Sequence, residues 1–404
     1  MLKVSNLESF WKDLQGNNNS IGFAALPAKV FLWLLVPLFQ GISLLKRFIF
    51  SLSCVFRTRL SLPVITIGNI TMGGTGKTTV ARLVTNLLNE KINKTPAILS
   101  RGYRSGNKRS VLPVSRKGEL LISQSNCGDE AFLLAKWLPQ SSVVLGKRRA
   151  VTGLWAVENL SHDYILLDDG HQYWRLERDF NIVTVSAMEG FGNQLPFPRG
   201  VLREPVWGLK RADLVVLYQY SEARESAIEK LKEQIRLVNN EVPVVGVDII
   251  PGKLRKLNII SFFPGMIFSE VDTESSESTK IENVTGVDNK VEVDNPKVFA
   301  FSGLGSPSSF ISTLKSCNYI VQDSISFSDH HKYVVSDIDL IIDKALSSSS
   351  SMIVTTEKDE VNCCRGNVLE KIRQSPISFY VLPVEGKFTE GSKDLTLSLL
   401  QKIF

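Results

Sequence analysis

The chain is 404 residues long and 43% hydrophobic, so it can form two domains, each with its own buried core. Its five cysteines include no C-x-x-C spacing, and the closest two, Cys363 and Cys364, are adjacent, so neither a disulfide framework nor a zinc site is predicted. The net charge is +6, but residues 1–110 hold 15 Lys and Arg against 3 Asp and Glu, which indicates an anionic partner such as a membrane or nucleic acid.

An uncharged segment rich in Leu, Phe and Trp occupies residues 30–45 and is followed by Lys46 and Arg47. It has 16 residues and contains Pro37, so it is shorter than the roughly 20 residues that span a bilayer. We interpret it as an interfacial helix that enters one leaflet with its basic flank on anionic headgroups. The alternative is a core helix of a soluble domain. The segment favours a membrane over nucleic acid as the partner.

From residue 62 onwards, short apolar runs alternate with amphipathic stretches. The runs include PVITIGN at 63–69, YILLDD at 164–169 and DLVVLY at 213–218. Such runs, separated by helical stretches, are typical of a parallel sheet that is covered on both faces. The sequence therefore predicts an α/β domain with a doubly wound parallel sheet.

A second, similar series lies near the C-terminus and includes KVFAFSGLG at 297–305 and SMIVTTEKD at 351–359. It predicts a smaller α/β domain. Between the two series, residues 266–296 contain eight acidic residues against two lysines, with many Ser and Thr. We interpret this stretch as a disordered surface insertion.

The first apolar run leads into a glycine-rich loop and then directly into a helical pattern, which is the context of a phosphate-binding loop. Glycines let backbone amides converge on phosphates, a lysine reaches the β and γ oxygens, and the next hydroxyl can ligate magnesium. The strict G-x-x-x-x-G-K-[ST] pattern fails at its first position, which is Thr71. The residues assigned to nucleotide binding are Gly73, Gly74, Thr75, Gly76, Lys77, Thr78 and Thr79.

A nucleotide site of this kind also needs a carboxylate at the end of an apolar strand to hold magnesium. Asp168 and Asp169 follow such a strand. Guanine specificity requires [NT]-K-x-D after a later strand, and the nearest candidate, residues 356–359 (TEKD), has its lysine one position too late. The sequence therefore favours ATP with Mg²⁺.

Phosphoryl transfer to a hydroxyl needs a group that accepts the proton, and a carboxylate or a carboxylate paired with histidine suits that role. One candidate is Asp129 at the start of a helical stretch, where the alternative is helix capping. The other is the segment that contains His330 and His331. Adjacent histidines point in different directions, so at most one of them is expected to face a site.

Taken together, the motifs resemble the tetraacyldisaccharide 4'-kinase (lipid A 4'-kinase) family from the N-terminal apolar segment to TTEKD. The matching motifs are GNITMGGTGKT, LSRGY, GDEA, GKRRA, DDG, LPFPRGVLREP, FSGLGSP, FSDHHKY and TTEKD. The resemblance implies a P-loop NTPase-type kinase core, a short β linker and a smaller C-terminal domain, with the nucleotide between the domains. It also implies an N-terminal helix that seats the enzyme on a membrane.

The resemblance also implies roles for individual residues. On the donor side, Lys77 and Thr78 bind phosphates and metal, and Asp168, Asp169 and Glu204 belong to the magnesium shell. On the acceptor side, Asp129, assisted by His330, activates the hydroxyl. Arg149 and Arg203 are candidates for binding the transferred phosphate or the substrate's 1-phosphate. One position departs from the family, which usually has histidine where this chain has Tyr173. A tyrosine can donate a hydrogen bond but cannot carry a positive charge.

On this basis we expect a membrane-associated segment at 1–57, a kinase core at 58–245 and a C-terminal domain at 246–404. The expected reaction transfers the ATP γ-phosphoryl group to the 4'-hydroxyl of a tetraacyldisaccharide 1-phosphate, at a membrane surface, with no nucleic acid and no obligate protein partner. The expected location is the cytoplasmic face of a bacterial inner membrane, or the mitochondrion in a eukaryote. Two alternatives stay open: a P-loop switch or assembly ATPase, and a membrane-bound nucleotide-binding protein that has lost catalysis.

Overall fold

The computed structural model describes residues 57–102, 109–257, 295–305, 307–363 and 366–404, together with six positions between 30 and 41. Most of the expected interfacial segment, and all but the last two residues of the acidic insertion, lie outside these residues. Among the helices of the described residues, none has both the length and the apolar character that crossing a bilayer requires.

Two sheets and the helices around them make up the described structure. The strands are β1 (Val64–Asn69), β2 (Pro96–Ser100), β3 (Leu112–Arg116), β4 (Glu119–Leu120), β5 (Ser142–Leu145), β6 (Tyr164–Asp168), β7 (Phe180–Ser186), β8 (Leu214–Tyr218), β9 (Val244–Pro251), β10 (Arg255–Lys256), β11 (Lys297–Ser302), β12 (Ile320–Ser326), β13 (Met352–Thr356), β14 (Phe379–Leu382) and β15 (Val384–Phe388). The helices are α1 (Lys77–Ile92), α2 (Gln124–Cys127), α3 (Asp129–Trp137), α4 (Arg149–Asn159), α5 (Glu225–Val238), α6 (Pro307–Ser316), α7 (Val335–Ser347), α8 (Glu357–Cys363), α9 (Gly366–Arg373) and α10 (Ser392–Gln401), with a 3₁₀ helix at Val206–Arg211.

The first sheet has ten strands in the order β15-β9-β8-β7-β1-β6-β2-β5-β3-β4. From β9 to β5 all neighbours are parallel, and antiparallel strands close both edges. Each residue of β1, β6, β7 and β8 is buried, because helices cover both faces, and this burial explains the continuous apolar runs in the sequence. The predicted α/β fold with a mainly parallel sheet is confirmed.

The second sheet has five strands in the order β10-β14-β13-β11-β12. Its core contains Phe299 and Phe301 from β11, which pack against Ile338 and Ile341 of α7. The spacing of the two isoleucines, three residues apart, places both on the inner face of that helix. This sheet is the smaller α/β unit of the C-terminal half.

The C-terminal residues return to the first sheet. β15 pairs with β9 antiparallel, and Phe388 and Leu400 are buried in the core of the first domain. The chain crosses between the sheets twice, and Gly252 N donates to Pro383 O at 2.8 Å where the two crossings meet. The boundary expected at 245/246 therefore falls within β9, and residues from 384 onwards pack with the first domain instead of the second.

Candidate active site

The phosphate loop lies between β1 and α1, as the motif predicts. Gly76 precedes α1 with φ 73°, a left-handed conformation that glycine adopts without steric cost. A Cβ at this position would also lie 2.3 Å from the ring of Tyr218. Both the backbone conformation and the close approach of the ring require glycine here.

Buried hydroxyl and amide groups hold the loop from below. Asn69 Nδ2 donates to Thr75 Oγ1 at 2.8 Å, and Thr184 Oγ1 donates to the same oxygen at 3.0 Å. The three side chains are buried. Thr75 therefore fixes the middle of the loop to β1 and β7.

The segment LPFPRGVLREP supports the loop from the side. Met72 N donates to Val201 O, and Arg203 N donates to Ile70 O, both at 2.7 Å. This backbone pairing places the Arg203 side chain next to the phosphate loop. The sequence assigned no structural role to this segment, because isolated backbone bridges leave no periodic signal.

The two aspartates at the end of β6 differ in their surroundings. Asp168 is buried, and burial raises its pKa to about 7, with further contributions from the Glu130 and Asp169 carboxylates. Burial also raises the pKa of Asp169, but the charges of Lys77 and Arg203 outweigh this effect and lower it. Lys77 Nζ lies 3.7 Å from Asp169 Oδ1, and Arg203 donates to both Asp169 oxygens at 2.9 and 3.0 Å.

The residues around Asp168 fit a magnesium ion. Three carboxylates, Glu130, Asp168 and Asp169, interact electrostatically at the edge of the phosphate loop, and the charge of Lys77 only partly offsets the burial that raises the pKa of Asp168. Within the described part of the chain, no group of three or more His, Cys, Asp and Glu is arranged to hold a metal alone. Magnesium at nucleotide sites takes one or two carboxylates together with phosphate oxygens and water, so Asp168 and Asp169 agree with the ion.

Glu204 belongs to a neighbouring buried network. Its Oε1 accepts from Gln172 Nε2 at 2.9 Å and lies 3.3 Å from His171 Nε2, while its Oε2 accepts from Arg211 at 2.7 Å. Gln172 Nε2 also donates to Asn69 O at 2.7 Å. Both carboxylate oxygens therefore have partners in the protein, and Glu204 reaches the phosphate loop through Gln172. Its role as a magnesium ligand stays a prediction.

Arg149 and Tyr173 form a stacked pair beside the aspartates. The Arg149 guanidinium carbon lies 4.3 Å from the centre of the Tyr173 ring, and Tyr173 Oη accepts from Ala150 N at 3.1 Å. Arg149 is only 7% exposed, and burial lowers its pKa, an effect that the nearby Asp169 charge opposes. The tyrosine thus contacts the arginine through its ring and the start of α4 through a neutral hydrogen bond to the Ala150 backbone.

The two candidate proton acceptors come together from different domains. His330 Nδ1 lies 2.7 Å from Asp129 Oδ2. Burial raises the pKa of Asp129, but the hydrogen bond from His330 and the charge of Lys358 outweigh it and bring the pKa to about 2. The same hydrogen bond raises the pKa of His330. The neighbouring His331 instead contacts Asp337 at 2.8 Å.

Asp129 is the first residue of α3, and its Oδ1 accepts from Glu130 N at 3.0 Å. The N-cap position itself is Gly128, so Asp129 does not have the capping geometry that the alternative requires. Because Glu130 faces Asp168, the start of α3 lies beside the end of β6. The Asp129–His330 pair and the phosphate loop therefore lie at the same edge of the first sheet.

A cavity of about 690 Å³ lies between the phosphate loop and the second domain. It is lined by Gly73 and Gly74 on one side and by Ser308 and Ser312 of α6 on the other. Gln219 Nε2 donates to Ser309 Oγ at 2.9 Å and so connects the two domains beside the cavity.

Comparison with known proteins identifies the family. Residues 28–403 match the family model described as Tetraacyldisaccharide-1-P 4'-kinase. The chain belongs to the tetraacyldisaccharide 4'-kinase family. It is 31% identical over 365 residues to the tetraacyldisaccharide 4'-kinase of Halothermothrix orenii, covering 90% of this chain and 89% of that protein. It is 30% identical to the enzyme of Anaeromyxobacter sp. strain Fw109-5, covering 98% and 96%.

A solved structure gives the same relationship in three dimensions. The LpxK of Aquifex aeolicus, crystallised in complex with ATP, superposes with a TM-score of 0.66 at 27% identity, covering 93% of this chain and 99% of that chain. The tetraacyldisaccharide 4'-kinase fold thus extends over both domains of the present family member.

The site also contains residues to which the sequence analysis assigned no role. Lys358 and Asn362 of α8 contact the Asp129–His330 pair. From the sequence, Lys358 was noted only within the guanine candidate TEKD and the family motif TTEKD, with no role of its own. Lys358 and Asn362 lie four residues apart just after a buried strand, and this spacing indicates that they share one face of a helix. Ser100 Oγ, which donates to Asp168 at 3.0 Å, ends a strand whose other residues are apolar and was likewise missed.

Proposed function

We propose that this chain transfers the γ-phosphoryl group of ATP to the 4'-hydroxyl of a tetraacyldisaccharide 1-phosphate, which forms lipid IVA in lipid A biosynthesis. The observation that carries the proposal is the 2.7 Å contact between His330 Nδ1 and Asp129 Oδ2 at the sheet edge that holds the phosphate loop. A nucleotide switch needs a phosphate loop and a metal site, but it does not need a second, proton-accepting pair. The relatives described above are named tetraacyldisaccharide 4'-kinases, and we take the acceptor, a tetraacyldisaccharide, from that name.

The donor half of the reaction uses the phosphate loop and the cations around it. Residues 73–79 would bind the phosphates of ATP, with Lys77 released from Asp169 to contact the β and γ oxygens. Arg203 pairs with Asp169 and Arg149 interacts with its charge, and on this basis we assign both arginines to the group in transfer. Two fixed guanidinium groups there stabilise charge on the transferred oxygens.

Thr78, Asp168 and Asp169 would hold Mg²⁺, with Glu204 as a further candidate. When bound, the ion neutralises phosphate charge and helps to align the donor. A cation held there would oppose the burial that raises the pKa of Asp168.

On the acceptor side, the 4'-hydroxyl must lose its proton as the new bond forms. Asp129 would orient this hydroxyl, and the Asp129–His330 pair would take up the proton as one unit. Within the pair the imidazole is the more basic partner, since the pKa of Asp129 is about 2 and that of His330 is raised. The proton is therefore most stable on His330 at Nε2, because Nδ1 already carries the proton that is donated to Asp129.

We also assign a site to the nucleotide. We assign ATP to the cavity of about 690 Å³, because phosphate-loop glycines line it, and the related Aquifex aeolicus protein was crystallised with ATP.

The excess of basic residues in 1–110 supports peripheral or monotopic association with an anionic membrane. We propose the cytoplasmic face of a bacterial inner membrane, or the mitochondrion in a eukaryotic cell, with no nucleic acid and no obligate protein partner.

Phosphate transfer in detergent micelles tests the proposal. Purified protein is incubated with [γ-³²P]ATP, Mg²⁺ and tetraacyldisaccharide 1-phosphate, and the labelled lipid is separated by thin-layer chromatography. We expect labelled lipid from the wild type and none above background from Lys77→Ala. ATP hydrolysis that does not depend on the acceptor, with no labelled lipid, would instead support the switch or assembly ATPase.

A further inference from the structure

One helix of the second domain supports both members of the Asp129–His330 pair. Asn362 Nδ2 lies 3.3 Å from Asp129 Oδ2, and Lys358 Nζ lies 3.4 Å from His330 Nε2. Lys358 and Asn362 are four residues apart on α8 and therefore share one face of it. We propose that both are positioning residues, which fix the Asp129 carboxylate and the site of the proton on the His330 ring. The inference rests on the transfer reaction proposed above.

Asn362 is suited to this role because its amide has a defined orientation. It is buried, and its Oδ1 accepts from Gln124 Nε2 at 3.4 Å. The Nδ2 group donates to Asp129 Oδ2 and also to Lys358 O, each at 3.3 Å. An acceptor on one side and donors on the other leave a single amide orientation that satisfies all three contacts. Asp129 Oδ2 is thereby held between Asn362 and His330.

Lys358 determines which ring nitrogen of His330 carries the proton. An ammonium group only donates hydrogen bonds, so Nε2 must present its lone pair to Lys358 Nζ. An ionised carboxylate only accepts, so Nδ1 must present N–H to Asp129. The two contacts thus require the same tautomer of neutral imidazole, with the proton on Nδ1.

Lys358 also fixes the loop that carries His330. Its ammonium group pairs with Asp329 Oδ1 at 2.7 Å. His330 itself has φ 61°, a left-handed conformation that is unfavourable for residues other than glycine. Contacts to Asp129 on one side and Lys358 on the other hold the ring while the backbone keeps this conformation.

The helix α8 is in turn anchored to the first domain. Trp137 Nε1 donates to Glu357 Oε1 at 3.0 Å, and Lys136 Nζ lies 3.6 Å from Glu360 Oε2. These contacts lie at the C-terminal end of α3, whose first residue is Asp129. The packing of α8 on α3 therefore completes the proton-accepting pair when the two domains are together.

Among the described residues, charged groups from three different elements face the His330 ring. Asp129 comes from α3, Asp329 from the same loop with its Oδ2 at 3.6 Å from Nε2, and Lys358 from α8. The Asp129 hydrogen bond raises the pKa of His330, whereas burial and the Lys358 charge lower it. Removing the Lys358 charge must therefore raise that pKa further.

Histidine NMR tests the inference without any activity measurement. The chain has four histidines, so ¹⁵N-histidine labelling gives few signals, and His330→Gln identifies the one of interest. We expect the Nδ1–H tautomer in the wild type, and in Lys358→Met a pKa for His330 that is higher by about one unit. Lys332→Met removes the same charge from an exposed side chain two residues away and should leave this pKa unchanged. An Nε2–H tautomer, or equal pKa values in wild type and Lys358→Met, would overturn the inference.

Kinetics test the same point in the working enzyme. In Lys358→Met the acidic limb of kcat/KM for the acceptor should move to higher pH, with the rate about tenfold lower one unit below the wild-type limb and largely restored at alkaline pH. Lys358→Arg, which keeps the charge, should keep the limb. Asn362→Ala should lower kcat about tenfold with an unchanged KM for ATP. If Lys358→Met lowered kcat/KM by the same factor at each pH, Lys358 would have only a structural role. If Asn362→Ala were as active as the wild type, Asn362 would not position Asp129.

The two measurements separate the inference from the proposed function. A wild type that shows the predicted tautomer and pKa shift, but no lipid phosphorylation, would refute the reaction and keep the geometry. A wild type that phosphorylates the lipid, but whose His330 does not respond to Lys358, would refute only the inference.

Discussion

Glu360 offers a sharp test of how the second domain is held against the first. Its side chain is buried and accepts from both terminal nitrogens of Arg255, each at 2.5 Å, and Lys136 Nζ lies 3.6 Å from Oε2. One carboxylate thus joins α8, β10 and α3. Replacing it with a neutral amide leaves two cations close together at a partly buried site.

The expected cost follows from the burial of each partner. Removing one member of a buried ion pair costs about 3–5 kcal/mol. The Arg255 side chain is 33% exposed and regains some hydration, so we expect Glu360→Gln to lower the free energy of unfolding by about 3 kcal/mol, the lower end of that range. Urea unfolding followed by circular dichroism measures this change.

Two comparisons make the test specific. Glu370→Gln, an exposed glutamate on α9, should change stability by less than about 0.5 kcal/mol. A double-mutant cycle with Lys136→Met should give a coupling energy of about 1 kcal/mol or more, because the two groups share one contact. A Glu360→Gln protein as stable as the Glu370→Gln control, or a coupling energy near zero, would show that Glu360 does not hold these two cations together.

Three further predictions concern the site. The folded pKa of Asp129 is lowered and that of His330 is raised, so the pair stabilises the fold most between pH 3.8 and 6.5, the ordinary pKa values of the two groups. The stabilisation decreases as pH falls through about 2 or rises above the folded pKa of His330. A double-mutant cycle of Asp129→Asn and His330→Gln should therefore give a larger coupling energy at pH 5 than at pH 9, and equal values would contradict this. Gly76→Ala should raise the Kd for ATP about tenfold or more in calorimetry, because the new methyl group meets an aromatic ring and φ is positive; wild-type binding would be the opposing result. Tyr173→Phe keeps the ring under Arg149 and should keep kcat/KM within about threefold, whereas Tyr173→Ala should lower it about tenfold or more; equal losses in the two variants would rule out the stacking role.

The parts of the fold that could be predicted are those whose chemistry is local in sequence. The buried strands β1 and β6 were visible as apolar runs, because helices cover both of their faces. The phosphate loop was visible because strand, glycines, lysine and helix follow one another directly. The short strand β15 was missed as a member of the first sheet, since its five residues alternate in exposure and its partner β9 lies more than a hundred positions away.

The proton-accepting pair could not be predicted from residue patterns alone. Asp129 and His330 are 201 positions apart, and no spacing rule relates them. Only the resemblance to a family joined them before the structure was known. Lys358 and Asn362 were missed for the same reason, because their contacts depend on how α8 packs against α3.

The position and the source of the phosphate on the product test directly whether this protein phosphorylates the 4'-hydroxyl. Tetraacyldisaccharide 1-phosphate is incubated with γ-¹⁸O-labelled ATP and the wild-type protein, and the product is analysed by tandem mass spectrometry and ³¹P NMR. We expect the wild type to add one isotope-labelled phosphate to the 4'-oxygen of the distal sugar, and Asp129→Ala to reduce this product by orders of magnitude. Unmodified disaccharide together with released inorganic phosphate, or full product from Asp129→Ala, would contradict it.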